Sequence, residues 1–318
     1  GWGEKKHEVS SETRRGYGVA LVYHGNSLGP EGEDSAEAEV AVAPDGLVRV
    51  KIGLTEYGTG ASYGIAKIAA ETLGVSEDRV VVEKAVTDTV PDTGGTFASR
   101  STLMGGNAVR MAAKRLRERL EKMASEAGWP LEQRPIIDFV AETGEEISER
   151  AVFRLPLCDY DPEKGYGVAY LQYTYGAVGV TVLVDTLTGV VRLEKMVGAF
   201  DVGRAINRSF VISQIEGALT QGAAYGLTEE LITGRTGRLL NPNFADYLVP
   251  TAADMPPVDV VVLENPSPLT PLGTRTIGEP PICGPAPAIA NAVHDATGVR
   301  VFSLPITAEK LVKVLRNI

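Results

Sequence analysis

One carboxylate in a stiff, turn-rich stretch is the side chain best suited to proton transfer in this sequence. Glu279 stands between Gly278 and the pair Pro280-Pro281, within residues 274–281 (TRTIGEPP). Glycine lets the backbone turn or approach a neighbour closely, and the following proline pushes Glu279 towards an extended conformation. Such a segment would present the carboxylate at a fixed angle, as a general base requires. The alternative is a solvated loop glutamate beside a turn.

Two further loops stand before helical patterns and carry groups that could bind an anion. Gly58-Thr59-Gly60 precedes a helical pattern over residues 61–73, and open N–H groups at a helix start favour a phosphate or oxo ligand. Residues 94–102 (GGTFASRST) add hydroxyl groups and the Arg100 guanidinium, a donor set suited to a phosphate-bearing ligand. The alternatives are a plain glycine turn in the first loop and a Ser/Thr-capped helix start in the second.

Composition narrows the possible partners and cofactors. The 318 residues carry a net charge of -10, which argues against nucleic acid or an anionic membrane surface as the main partner. No apolar run is long enough to span a membrane, and no signal-peptide core follows the N-terminus, so we expect a cytoplasmic protein. Two cysteines and three scattered histidines indicate neither an iron–sulfur cluster nor a zinc site. Any redox chemistry would therefore need a cofactor held by backbone and polar side chains.

Both halves of the sequence show hairpin strands, then a glycine-containing loop, then a helix. Residues 36–43 and 47–54 form the clearest hairpin in the first half, and residues 167–185 and 190–200 in the second. This order predicts an α+β fold of two related lobes with mostly antiparallel sheets. The expected divisions are an arm over residues 1–16, a first lobe over 17–150 and a second lobe over 151–318.

The order of these motifs resembles that of the molybdenum hydroxylases, which include xanthine dehydrogenase, aldehyde oxidase and the large subunit of aerobic carbon monoxide dehydrogenase. The matching pattern is T-E-x-G-x-G, a helix ending in A-E-x-L-G (residues 70–74), G-T-x-A-S-R-x-T, and G-E-P-P. The resemblance runs from about residue 15 to the end. It matches only the C-terminal half of the molybdopterin-binding subunit of that family.

The resemblance implies a molybdenum cofactor held through molybdopterin, often as the cytosine dinucleotide, with no protein side chain on the metal. Glu279 would be the base acting on a hydroxide ligand of the molybdenum, in the oxidation of a purine, aldehyde or related small molecule with water-derived oxygen. The implied cofactor-binding residues are Gly58, Thr59 and Gly60 over the metal, Ala98, Ser99, Arg100, Ser101 and Thr102 at the pterin or its phosphates, and Gly278.

The resemblance also implies partners and shows one departure. The expected partners are the N-terminal half of the subunit, iron–sulfur and flavin (FAD) subunits, and a second copy in a homodimer; the isolated chain is expected to be inactive. Thr59 stands where the family commonly has Gln, whose longer amide reaches a metal ligand. The alternative function is therefore a diverged, non-catalytic module that carries cofactor or serves as structure.

Overall fold

The computed structural model describes residues 9–316, which form two α+β lobes, as predicted. The first lobe has a four-stranded sheet in the order β4-β3-β2-β5, with β3 and β4 parallel and the other pairs antiparallel. Its elements are β2 (Ser35–Val42), β3 (Val48–Ile52), α1 (Ala61–Leu73), β4 (Val80–Val82), α2 (Gly106–Glu126), α3 (Ile136–Thr143) and β5 (Ile147–Arg154).

The second lobe has a four-stranded sheet in the order β1-β8-β9-β10, in which only β9 and β10 run parallel. Its strands are β1 (Thr13–Gly25), β8 (Tyr173–Asp185), β9 (Val191–Asp201) and β10 (Val258–Leu263). Its helices are α4 (Arg208–Leu227), α5 (Pro285–Thr297) and α6 (Ala308–Leu315), and a small hairpin of β6 (Tyr160–Asp161) and β7 (Tyr166–Gly167) precedes β8.

The placement of β1 corrects the predicted domain boundaries. Residues 17–25 were assigned to the first lobe, but β1 pairs along its whole length with β8 of the second lobe. The strand also begins at Thr13, within the predicted arm, whose residues 1–8 lie outside the described part of the chain. A strand partner about 160 residues away leaves no local mark in the sequence, so the order of elements alone assigned β1 to the wrong lobe.

Close packing of β1 on α5 explains two glycines that start the strand. A Cβ at Gly16 would stand 2.0 Å from the carbonyl oxygen of Ala292, and one at Gly18 would stand 1.9 Å from that of Ala288. Only glycine permits this contact between a strand and a helix backbone. The far end of β1 thereby reaches the 3₁₀ turn at Pro280–Cys283, which follows Glu279.

The helix that follows the second predicted loop begins with a wider turn than expected. A π-helical turn over Ser101–Gly105 leads into α2, and such turns are frequent at functional sites. Among residues 9–316, no helix combines the length and apolarity needed to cross a bilayer.

Candidate cofactor cleft

The three stretches singled out in the sequence line one cleft between the lobes. The cleft has a volume of about 510 Å³. The first lobe contributes Gly58, Thr59 and Gly60, and also Ser99, Ser101 and Thr102; the second contributes Gly278 and Glu279. Ala98 and Arg100, which were predicted to bind cofactor, are not among the lining residues.

The backbone of Glu279 is held by the other lobe. Its N–H donates to the hydroxyl oxygen of Ser99 at 3.0 Å, across 180 residues of sequence. Four residues earlier, the N–H of Arg275 donates to the carbonyl of Val202 at 2.7 Å, which ties the segment to the end of β9. The candidate base is therefore fixed from both lobes, while its side chain remains 44% exposed.

His24 is a site residue that sequence reasoning missed. Its Nε2 lies 3.6 Å from Oε2 of Glu279, and its buried Nδ1 has no hydrogen-bond partner among the described residues. The histidine stands at the end of β1, on the face that turns towards the helices. Its spacing to other histidines carries no signal, so only knowledge of the β1–β8 pairing could have found it.

Arg100 is a buried structural residue, which corrects its predicted role as a phosphate ligand. Its side chain is 1% exposed and pairs with Asp34, with Nη2 donating to Oδ1 at 2.6 Å. Nη1 donates to the carbonyls of Thr93 and Gly95, and Nη2 also donates to that of Ser35. With Nε also directed to Asp34, the guanidinium is bonded to protein groups on every nitrogen.

The loop over Arg100 turns the Ser99 hydroxyl towards Glu279. Ala98 and Ser99 both adopt left-handed backbone conformations, with φ of 51° and 47°. Such conformations are unusual for residues with a Cβ and persist only where the surroundings impose them. The carbonyl of Ala98 accepts from the N–H of Ser27 at 2.9 Å, which holds the loop against the segment that follows β1.

The glycine loop before α1 binds a carboxylate of its own chain. Oε1 of Glu56 accepts from the N–H groups of Gly58 at 2.7 Å and Gly60 at 3.1 Å, and Oε2 accepts from that of Ser62 at 3.0 Å. These N–H groups are therefore not open to an external anion, contrary to the prediction. The Thr59 hydroxyl also donates to Glu56, at 3.3 Å.

These bonds shift the ionisation of Glu56. Its burial alone would raise the pKa, but hydrogen bonds from the backbone of Ser62, Gly58, Gly60 and Thr59 outweigh burial and lower the pKa of Glu56 below its usual value. A carboxylate at the start of a helix is also favoured by the helix dipole. Glu56 is thus held as an anion that shapes the wall of the cleft formed by residues 58–60.

Helix α4 supplies cleft residues that are not among the predicted site residues. Asn207 starts the helix, where its side chain accepts from the N–H of Phe210 at 3.1 Å. The lining positions of this helix include Gln214, Gly217 and Gln221. Their spacing of three to four residues places them on one face, which was a usable sequence signal.

The cleft suits a ligand rich in hydrogen-bonding groups. The buried hydroxyl of Thr276 has no partner among the described residues, and it lies in the lining. No atom lies within 4 Å of the position that a Cβ would take at Gly58 or Gly217, so both glycines leave space beside the cavity. Together with the amides of Gln214 and Gln221, these features fit the pterin that the resemblance implied.

Comparison with known proteins agrees with this fit. Residues 1–256 match the family model described as a molybdopterin cofactor-binding domain. The chain is 30% identical to a xanthine dehydrogenase molybdenum-binding subunit of Escherichia coli O157:H7, covering 98% of this chain and 44% of that protein. It is 33% identical to the aldehyde oxidoreductase molybdenum-binding subunit PaoC of the same organism, covering 95% of this chain and 41% of that protein.

Solved structures show the same fold. The aldehyde oxidoreductase of Desulfovibrio desulfuricans superposes with a TM-score of 0.81 at 30% identity, over 96% of this chain and 33% of that one. This chain therefore spans less than half the length of the relatives it matches. It belongs to the molybdopterin cofactor-binding domain family and is homologous to part of the molybdenum-binding subunits of xanthine dehydrogenase and aldehyde oxidoreductase.

Proposed function

We propose that this chain forms one wall of the molybdopterin site of a molybdenum hydroxylase and supplies its general base, Glu279. The observation that carries the proposal is the hydrogen bond between Ser99 of the first lobe and the backbone of Glu279 in the second. This bond brings the candidate base and a predicted cofactor loop to the same cleft. The donor set of the cleft supports a pterin as its ligand.

Some cleft residues would bind the cofactor, and Glu279 would transfer a proton. The hydroxyls of Ser101, Thr102 and Thr276 and the amides of α4 would hold the pterin through neutral hydrogen bonds. When bound, the molybdenum cofactor supplies two-electron oxidation with water-derived oxygen. Glu279 would take up a proton at a carboxylate oxygen, because its backbone is fixed and its side chain remains partly open to the cleft.

Several finer points extend the proposal. The named relatives act on xanthine and aldehydes, and we assign this chain a purine, an aldehyde or a related small molecule. The remaining part of the subunit would close the cleft, and iron–sulfur and FAD groups on partner chains would carry electrons away, since two cysteines cannot supply the roughly four ligands of a cluster. The cytosine dinucleotide form of the cofactor, a homodimer and a cytoplasmic location follow from the family resemblance.

Assembly with the rest of the subunit tests the cofactor site. We expect the assembled protein to contain molybdenum and pterin, measured by elemental analysis and by fluorescence of the oxidised pterin. Replacing Gly217, beside open cleft space, by Phe should reduce both. The same change at solvent-exposed Gly32 should not, because Gly32 has an extended backbone and open space and lies outside the lining. An assembled protein that folds but contains neither molybdenum nor pterin would refute the cofactor assignment.

The variant Thr59→Gln tests whether the chain is part of an enzyme or a module that only carries the cofactor. The Thr59 hydroxyl is turned to Glu56, an arrangement that favours the alternative of a non-catalytic module. A molybdenum-loaded assembly that oxidises neither purines nor aldehydes, with Thr59 or with Thr59→Gln, would favour that alternative. Turnover with Thr59 supports the enzyme, whereas turnover only with Thr59→Gln supports the diverged, non-catalytic module.

A further inference from the structure

One face of the sheet in the second lobe is apolar and lies open. Along β1, Val22 turns towards the helices and is buried, whereas Val19, Leu21 and Tyr23 point the other way and are 45%, 84% and 65% exposed. Among residues 9–316, the elements in substantial contact with this sheet are α4, α5 and the 3₁₀ turn at Pro280–Cys283, on the Val22 face. The opposite face therefore has no covering layer from the described part of the chain.

The open face is apolar across all four strands. The register aligns Leu21 with Ala177, Ala177 with Ala199, and Ala199 with Val261, which gives one uncharged row across the sheet. Beside this row, the ring of Tyr23 stacks on that of Tyr173 at 4.2 Å and lies 5.3 Å from that of Tyr175. We call this surface the tyrosine face; its members are Val19, Leu21, Tyr23, Tyr173, Tyr175, Ala177, Ala199, Val261 and Leu263.

Such a surface is typical of an interface. A sheet with one face in water normally alternates apolar and polar residues, and contiguous exposed apolar patches mark sites of association. Charged pairs flank the apolar row on both sides: Lys195 pairs with Asp259 at 2.6 Å, and Arg275 pairs with Asp201 at 3.3 Å. An apolar, aromatic centre with a charged rim is the usual composition of a protein–protein interface.

Two observations identify the occupant. The chain spans only 41–44% of the molybdenum-binding subunits that it resembles, so more than half of such a subunit lies outside it. The tyrosine face also adjoins the cleft: Arg275, a lining residue, lies over the ring of Tyr175 at 5.8 Å and donates to the carbonyl of Tyr173 at 2.9 Å. A domain seated on this face would reach the open side of the cleft.

We infer that the tyrosine face is the docking surface for the remaining part of the molybdenum-binding subunit. The inference rests on the proposed function, since it takes that subunit as the context of this chain. Docking would bury the tyrosine rings and place the partner domain beside Arg275. The occupant is thus another part of the same subunit, and not a second copy of this chain.

A matched pair of leucine variants tests the inference. Leu21→Glu places a charge in the middle of the tyrosine face, whereas Leu157→Glu places the same charge on a leucine that is 78% exposed and outside it. Both leucines are exposed, so both variants should fold. We expect Leu21→Glu to weaken association with the separately produced remainder of the subunit at least about tenfold, and Leu157→Glu less than about twofold, by titration calorimetry.

Hydroxyl-radical labelling of Tyr23 and Tyr175 locates the contact directly. We expect both rings to be labelled in the chain alone and protected in the assembled subunit. Equal affinity of the two leucine variants, or unchanged labelling on assembly, would overturn the inference. Two further results would overturn the inference, because each would give the face a different occupant. One is self-association of the chain that Leu21→Glu abolishes, and the other is increased labelling of the two tyrosines when residues 1–8 are removed.

The same samples separate this inference from the proposed function. An assembly that protects Tyr23 and Tyr175 but contains no molybdenum supports the docking surface and refutes the cofactor site. A molybdenum-bearing assembly in which both rings remain labelled supports the cofactor site and refutes the docking surface.

Discussion

Replacing Asp34 by Asn should destabilise the chain strongly, because it leaves the Arg100 charge buried without its counter-ion. The two side chains are 4% and 1% exposed, so water cannot take the place of the lost carboxylate. Asn keeps the shape of Asp and one acceptor oxygen, but it removes the charge and places an NH2 donor where the second oxygen accepted from N–H groups. Removal of one partner of a buried pair typically costs about 3–5 kcal/mol.

The contacts of Arg100 place the expected loss near the lower end of that range. Nη1 and Nη2 keep their bonds to the carbonyls of Thr93, Gly95 and Ser35 in the variant. These three dipoles continue to stabilise the guanidinium, so only the interaction with Asp34 is removed. We expect the free energy of unfolding to fall by about 3 kcal/mol, and the loop over residues 93–102 to become more sensitive to proteolysis.

Urea denaturation at neutral pH measures this loss, and a surface pair of similar geometry serves as the control. Arg49 donates to both carboxylate oxygens of Asp45, at 3.0 and 2.6 Å, but this pair lies at the surface. Asp45→Asn should leave the denaturation midpoint close to that of the wild type. If Asp34→Asn shifts the midpoint no more than Asp45→Asn does, the buried pair does not hold the loop.

Two further predictions concern carboxylates at the cleft. Because the pKa of Glu56 is lowered in the folded chain, its hydrogen bonds add stability above the ordinary glutamate pKa of 4.5, and this stability is lost as pH falls through the folded pKa. Glu56→Gln should therefore make the free energy of unfolding less dependent on pH at the acid end. An unchanged acid dependence would contradict the lowered pKa of Glu56. Burial and then the charge of Glu279 raise the pKa of Cys283. In a Cys158→Ser background, Glu279→Gln should therefore speed alkylation of Cys283, because more thiolate is present at a given pH. An unchanged rate would mean that the carboxylate points away from this turn.

Local patterns predicted the features that depend on neighbouring residues. The spacing of Ile65, Ile68, Ala69 and Leu73, with Gly74 as the stop, gave a helix over residues 61–73, and α1 has these bounds. Threonine is a preferred N-cap residue, and Thr307 stands directly before the last helix, where its side chain accepts from the N–H of Lys310. The three site loops were recognised because each combines several residue types in order, and all three line the cleft.

Roles that depend on distant partners were not predictable in this way. The guanidinium of Arg100 is bound by Asp34, 66 residues earlier, and nothing near Arg100 indicates that its side chain turns inward. His24 meets Glu279 only because β1 joins the second sheet. The hydrogen bonds from the glycine-loop N–H groups to Glu56 could have been predicted from neighbouring residues, because Glu56 stands two residues before Gly58.

The role proposed for Glu279, fixed by Ser99, is that of the base at a molybdopterin site shared by the two lobes. Its most direct test compares Glu279→Gln with the wild type in the assembled, molybdenum-loaded subunit, measuring metal content and turnover together. We expect a molybdenum content close to that of the wild type and a loss of turnover of at least about a hundredfold, as is usual for removal of a general base. A Glu279→Gln protein that retains both its molybdenum and its rate would show that Glu279 is not the base.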